Sequence, residues 1–393
     1  MKNPEIRFID DNIDWEERKL GELNNLSIPT IYKNYYLEIG DIKPLSNSYT
    51  LDKTKKIVSG AKLATNGTIL VSTVRPTRGA ICKLKDGNIF VSSALYQFNS
   101  NNEFLNDIIL QQLQTYKFLK YCGDNCEGGT YPTISKENID KFIVKIPKNV
   151  EKISKTLTSI DVKITNQTAI IEKLYNTKSA LLIKMFPQEN QSVPELRFDG
   201  FTDTWEQCKF GELCSIVTKQ TGFDYTSTIK KALLTESSND TLPYLQTKNF
   251  AGTNINYNTD YFIPKSVAKE FPDINLDEKC LLFSIVGASV GNIGLFPGDK
   301  HCFLSGAICV SKQKNHDDTD YLYHYMCSEK GQDQIRICTK GGAQATITIE
   351  DIRELTVLMP HKQEKNKIGK LLSSLDNLIT LHQRKPFHLN FSL

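Results

Sequence analysis

The chain has 393 residues, 39% hydrophobic and 24% charged, an ordinary composition for a folded protein and long enough for two or three domains with cores of their own. Its net charge of +3 neither demands nor excludes nucleic acid as a partner. No apolar run is long enough to cross a bilayer and no signal peptide is recognisable, so a cytoplasmic, reducing setting away from membranes is expected, with the ten irregularly spaced cysteines unpaired.

Taken in order, residues 1–150 read as one α+β domain. Short β-branched runs at 68–74, 88–92 and 142–146 predict strands, and 104–121 predicts a surface helix with one apolar face. Lys53, Lys55 and Lys56 precede a loop over 74–79 that carries Arg75, Thr77 and Arg78. A Gly-Gly turn at 128–129 leads into Thr130 and Tyr131. Such side chains can meet phosphates and base edges, although solvated surface charge is the plainer reading of any single lysine.

Residues 151–187 predict a long helix. Ile153, Leu157, Ile160, Ile164, Ile171, Leu174, Leu181 and Met185 fall on a 4-3-4-3 ladder that only Gln167 and Lys178 interrupt. A helix of that length, about 50 Å, with one narrow apolar seam needs a second helix beside it. Residues 188–193, polar and following Pro187, read as a linker.

After the linker the chain repeats itself. PEIRFIDDNIDWEERKLGEL at 4–23 returns as PELRFDGFTDTWEQCKFGEL at 194–213, identical at ten of twenty positions, with Trp15 and Trp205 in register. ILVSTVRPTRGAI at 69–81 parallels LLFSIVGASVGNI at 281–293. GGTYPTISKENIDKFIVKIP at 128–147 parallels GGAQATITIEDIRELTVLMP at 341–360. Tyr36-Leu37 before Asp41-Ile42 parallels Tyr244-Leu245 before Asn249-Phe250.

Residues 194–363 are therefore expected to form a second domain of the first one's kind, with strands at 279–286 and 355–358 and a helix at 319–337. Its candidate polar contacts are Lys219, Gln246, Lys248, Asn249, Ser289, Lys340 and Gln344. A second seamed helix, 364–385, carries Ile368, Leu372, Leu375 and Ile379, with His382 standing where the first seam has Gln167. Pro386 should stop this helix near Lys385, since proline in a helix interior costs about 3 kcal/mol, and 386–393 is expected to be an irregular tail. In an antiparallel pair Ile368 would lie near Met185 and His382 near Ile171. The ladder from Ile153 to Ile164 would then need another subunit or a second copy to cover it, unless the chain is a shortened variant.

Little in the sequence supports catalysis. All six histidines lie beyond residue 300, so a repeated His-dependent site is excluded. Gly287, Gly291 and Gly294 lack phosphate-loop spacing, and no G-K-[ST] motif occurs. Cys122 and Cys126 form a lone C-x3-C without further ligands, so no metal site is expected. Asp273 with Asp277-Glu278-Lys279 has too few intervening residues to span two strands of a nuclease site. No catalytic residue is assigned.

The opening P-E-[IL]-R-F…W-E…K-x-G-E-L of each half, and the closing G-G-x-x-x-x-I…P followed by a heptad helix, resemble the specificity subunit of Type I restriction-modification systems over essentially the whole chain. The resemblance implies two α+β target-recognition domains reading the halves of a bipartite double-stranded DNA sequence. It implies long helices packed as an antiparallel coiled coil that sets the unread spacer. It also implies two adenine-methylating modification subunits docked on 152–186 and 366–385, with restriction subunits able to join. S-adenosylmethionine, ATP and magnesium would then belong to those partners, and this chain would hold no cofactor.

Overall fold

The structure, a computed structural model, describes residues 15–188, 191–341 and 345–384. They fall into two compact units, the first ending at Asn166 and the second beginning at Gln167.

In the first unit the apolar run 69–72 forms a wholly buried strand, Ile69–Ser72, between strands Ile81–Lys83 and Leu95–Phe98. Its side chains alternate between two cores, as a strand buried on both faces requires. Ile69 and Val71 pack with Ile109, Leu110 and Leu113 of the helix Glu103–Leu113, while Leu70 packs with Leu37, Cys82 and Ile89. A second sheet sets Ile89–Val91 between Lys33–Leu37 and Lys62–Ala64. The opening strand Glu16–Lys19 pairs antiparallel with the closing strand Ile143–Ile146, so the first and last described strands of this domain lie side by side.

The second unit repeats this plan. Glu206–Lys209 pairs with Thr356–Met359. Cys280–Ser284 again sends alternate residues to two cores, Leu281 and Phe283 to one and Cys280 and Leu282 to the other. Register is kept as well: Val71↔Ile81 in the first hairpin corresponds to Phe283↔Ile293 in the second. Leu37↔Val91 corresponds to Leu245↔Leu304, both in parallel pairs. The repeated glycine after each opening strand has a steric cause. A Cβ on Gly21 would meet Asp140 Cβ at 2.7 Å, and one on Gly211 would meet Arg353 Cβ at 2.9 Å.

The expected strands are present, but the single helices expected over 104–121 and 319–337 are each broken in two. Thr115 ends the first as N-cap of Tyr116–Asp124, its hydroxyl accepting from the Phe118 N–H. Ser328 does the same for Glu329–Cys338, accepting from the Gly331 N–H. A hydroxyl side chain that satisfies an unpaired helix N–H outweighs continued apolar periodicity.

The long helix runs Val150–Lys184. Its first turns are tied to the helix Glu103–Leu113: Ser154 Oγ donates to Asp107 at 3.0 Å and Gln111 donates to Asp161 at 2.6 Å. Ile153 is buried and Leu157 and Ile160 are half-buried, so this end of the ladder is already largely covered; Ile164 is 42% exposed.

Within the second unit the remainder of the long helix pairs with the C-terminal helix Lys362–Arg384. Gln167 bonds to His382, and Lys178 is ion-paired to Asp376 at 2.5 Å. Met185 and Phe186 join Ile368 and Leu372 in one buried cluster with Trp205, Tyr321 and Tyr325. The pairing is antiparallel, with Ile368 clustered beside Met185 as expected, and His382 meeting Gln167 one turn from Ile171. Ile171, Leu174, Leu181 and Leu375 are half-buried and Ile379 is buried. The tail 386–393 lies outside the described residues.

Candidate nucleic-acid interface

Two loops meet at one rim of the first unit. Val74 bridges to Thr133, which also bridges to Glu127, and this holds the hairpin around 128–132 against the loop 74–79. Arg75 N–H donates to Pro132 O at 2.7 Å, and Ile134 N–H donates to Thr73 O at 2.9 Å. Pro76 starts a 3-10 turn, Pro76–Arg78, that leaves Thr77 and Arg78 exposed. Arg75 itself sits at φ 47°, ψ 51°. Its guanidinium carbon lies 4.2 Å from the centroid of the Tyr131 ring, and Nη2 donates to Thr130 O at 3.0 Å.

Arg75, Thr77, Arg78, Thr130 and Tyr131, drawn from two distant stretches, are thus gathered in one place. Tyr131 is 66% exposed. Among the described residues neither Arg75 nor Arg78 has a carboxylate within ion-pair distance.

The second unit builds the same frame. Val286 bridges to Thr346, Thr346 to Lys340, Gly287 N–H donates to Ala345 O at 2.9 Å, and Ile347 N–H donates to Ile285 O at 3.1 Å. Gly287, at φ 87°, takes the place of Arg75. Ser289 is held by Ser284, Oγ to Oγ 2.8 Å. Lys340 lies 3.3 Å from Asp351, whose carboxyl is held below its ordinary range chiefly by the Thr348 hydroxyl. Gln344 lies outside the described residues.

The remaining candidates sit elsewhere. Lys53 lies 5.8 Å from the centroid of the Tyr35 ring, and Lys56 is exposed. Lys55 is held between Glu38 at 2.6 Å and Asp41 at 2.9 Å, which leaves its charge spoken for. Asn249 is buried and caps its own turn, accepting from Gln246 N–H at 2.9 Å, as Asp41 accepts from Glu38 N–H in the first unit. Asn249 therefore serves the fold. Lys248 pairs with Asp260, and Lys219 is exposed at the end of strand Cys214–Lys219. Exposed pairs of this kind contribute at most about 1 kcal/mol, so a phosphate can displace the carboxylate.

The second unit carries one further element that the first unit's residue pattern does not mark. Gly222–Asp224, Tyr225–Ile229 and Lys230–Ala232 form a continuous helical segment with a π turn at its centre and Phe223 78% exposed. Its signal was available: the repeat offset rises from 190 at Trp15/Trp205 to 208 at Tyr36/Tyr244, an insertion between the two.

Nucleophilic chemistry finds no support. All ten cysteines are free, and burial is the chief cause raising every thiol pKa, to about 12 for Cys122 and Cys214, which is the reverse of activation. In the group near 277 the lysine and two carboxylates are drawn into ion pairs: Lys279 lies 2.6 Å from Asp320, and Lys312 lies 3.3 Å from Glu278 and 3.9 Å from Asp277. Among the described residues no group of three or more His, Cys, Asp or Glu could hold a metal ion. No helix among them is long and apolar enough to cross a membrane.

A family model described as "Type I restriction modification DNA specificity domain" matches residues 12–176 and again 202–390. The chain is 22% identical over 395 residues to a Type I restriction enzyme MjaVIII specificity subunit from Methanocaldococcus jannaschii, covering 95% of this chain and 88% of that one. It superposes on the crystal structure of a Type-I restriction-modification system S subunit from M. genitalium with a TM-score of 0.60 at 16% identity, covering 96% and 93% of the two chains. At that identity the likeness speaks for the fold.

Proposed function

We infer function from a premise of kinship: the chain belongs to the Type I restriction modification DNA specificity family, one copy of whose domain lies in each half. It is a non-catalytic DNA-recognition subunit of a restriction-modification complex. Beyond that, each domain, 1–150 and 194–363, reads its own half of a bipartite double-stranded target, and the helices around 151–187 and 364–385 set the unread spacer.

The observation carrying this reading is the frame present in both units. The bridges Val74↔Thr133 and Val286↔Thr346 hold equivalent loop pairs, while the side chains mounted on them differ: Arg75 against Gly287, Thr77 against Ser289. A constant backbone with variable side chains is what two related readers of different sequences require, since backbone contacts position and side chains on base edges specify.

Two modification subunits dock on the helices, with restriction subunits joining the same assembly in a cytoplasmic setting. Exposed apolar side chains support that role, among them Val162, Ile170, Tyr175 and Ile183 on the long helix and Leu378 and Leu381 on the C-terminal one. S-adenosylmethionine, ATP and magnesium belong to those partners.

The test is binding of a duplex library by the chain assembled with its modification subunits, across a salt series. Enrichment of one split sequence, with affinity falling by a log–log slope of about −0.9 per phosphate contact, is expected. Binding without sequence preference would remove the reading.

A further inference from the structure

Arg75 occupies a position where the frame demands positive φ, since the second unit fills it with Gly287 at φ 87°. Glycine adopts that conformation without strain, whereas an arginine there sets its Cβ against the backbone. The Arg75 side chain is not repaid by burial in a core: it lies along an exposed tyrosine and bonds one backbone carbonyl. Strain kept at an exposed loop tip points to work done by the side chain.

The geometry narrows that work. The guanidinium is fixed as a plane by the Tyr131 ring at 4.2 Å and by the Nη2 bond to Thr130 O at 3.0 Å. Nε, Nη1 and the second Nη2 hydrogen remain without a protein partner among the described residues. A phosphate asks only for positive charge, which a mobile lysine supplies; a planar donor fork of fixed orientation matches two adjacent acceptors in a plane. In the major groove, guanine O6 and N7 are that pair.

We propose that Arg75 is a specificity-determining residue of the first unit, pairing with a guanine in the half-site that unit reads. This rests on the DNA-recognition reading given above, and the two can fail separately. The experiment uses the chain assembled with its modification subunits, carrying Arg75, Arg75→Gly or Arg75→Lys. Affinities are measured on the selected duplex and on its single-base-pair variants, at several salt concentrations.

The native complex should discriminate one G·C pair in one half-site. Arg75→Gly should lose about tenfold or more of that discrimination while the other half-site is read as before. Arg75→Lys should lose much of it despite keeping the charge. Arg75→Gly should melt no lower than the native chain, because it restores the residue that the equivalent position of the second unit carries. Unchanged discrimination in Arg75→Gly would overturn the proposal. So would an equal weakening on every duplex with a salt slope shallower by about one, the mark of a phosphate contact. A native complex with no preference for any sequence would overturn the broader reading as well.

Discussion

Gln167 and His382, polar breaks at the same level of the two seams, are bonded to each other: Gln167 Nε2 lies 2.8 Å from His382 Nδ1 and donates to His382 O at 2.7 Å. A polar pair at one level of a helix pair fixes register, because sliding either helix strands both groups against apolar neighbours. A double-mutant cycle on Gln167→Ala and His382→Ala, read by urea unfolding, should return a coupling of about 1 kcal/mol. Purely additive effects would show that the contact does not set the register.

Lys178, the other break in the first seam, meets Asp376 at 2.5 Å with side chains only 15% and 9% exposed. Removing one partner leaves a charge with little water around it, so Asp376→Ala should cost about 3 kcal/mol in the same assay. Lys178→Met with Asp376→Leu should recover most of that loss, since replacing both charges by apolar groups leaves nothing unpaired. A double variant as unstable as the single one would contradict this account.

Gly21 and Gly211 should resist even the smallest side chain. The Cβ of alanine would lie 2.7 Å from Asp140 Cβ in one unit and 2.9 Å from Arg353 Cβ in the other. Each substitution should cost about 1–3 kcal/mol through the backbone shift it forces. Thermal unfolding of the two variants is the check, and unchanged melting in either would mean that the short helix packed on that glycine, Lys136–Asp140 or Ile349–Glu354, moves freely.

Burial, with Lys178 and Lys279 adding, holds the His324 imidazole well below its usual pKa of 6.5. The unfolded chain therefore takes up this proton first as pH falls. The contribution of His324 to stability is fully present above about pH 6.5 and declines below it, by at most about 1.4 kcal/mol per pH unit for one proton. Urea midpoints from pH 7.5 to 5 should show a steeper acid loss in the native chain than in His324→Asn. Parallel curves would mean that His324 takes up its proton within the fold.

Much of this architecture was legible because it was written twice. The shared spacing of Ile153–Leu157–Ile160 and Ile368–Leu372–Leu375 placed both helices and the family resemblance their antiparallel pairing, whereas the doubled W-E-x-x-K-x-G-E-L marked where each domain opens without showing that it opens on a strand. The helix breaks at Thr115 and Ser328 were hidden, since a single hydroxyl capping an N–H leaves the apolar period intact on either side. Arg75 and Tyr131 could each be suspected from residue type. That they stack could not, because they lie 56 positions apart in the chain and are brought together by the bridge from Val74 to Thr133 and the Arg75 N–H bond to Pro132 O. The roles of Lys55 and Asn249 were obscured for the opposite reason: their ion pairs and turn caps use the same side-chain chemistry as a DNA contact.

In the proposed reading each unit recognises its own part of the target. The most direct measurement replaces residues 15–147 with the corresponding domain of another family member and maps the methylated sequence made by the assembled complex. One half of the site should change while the other half stays as it was. A change in both halves, or in neither, would contradict it.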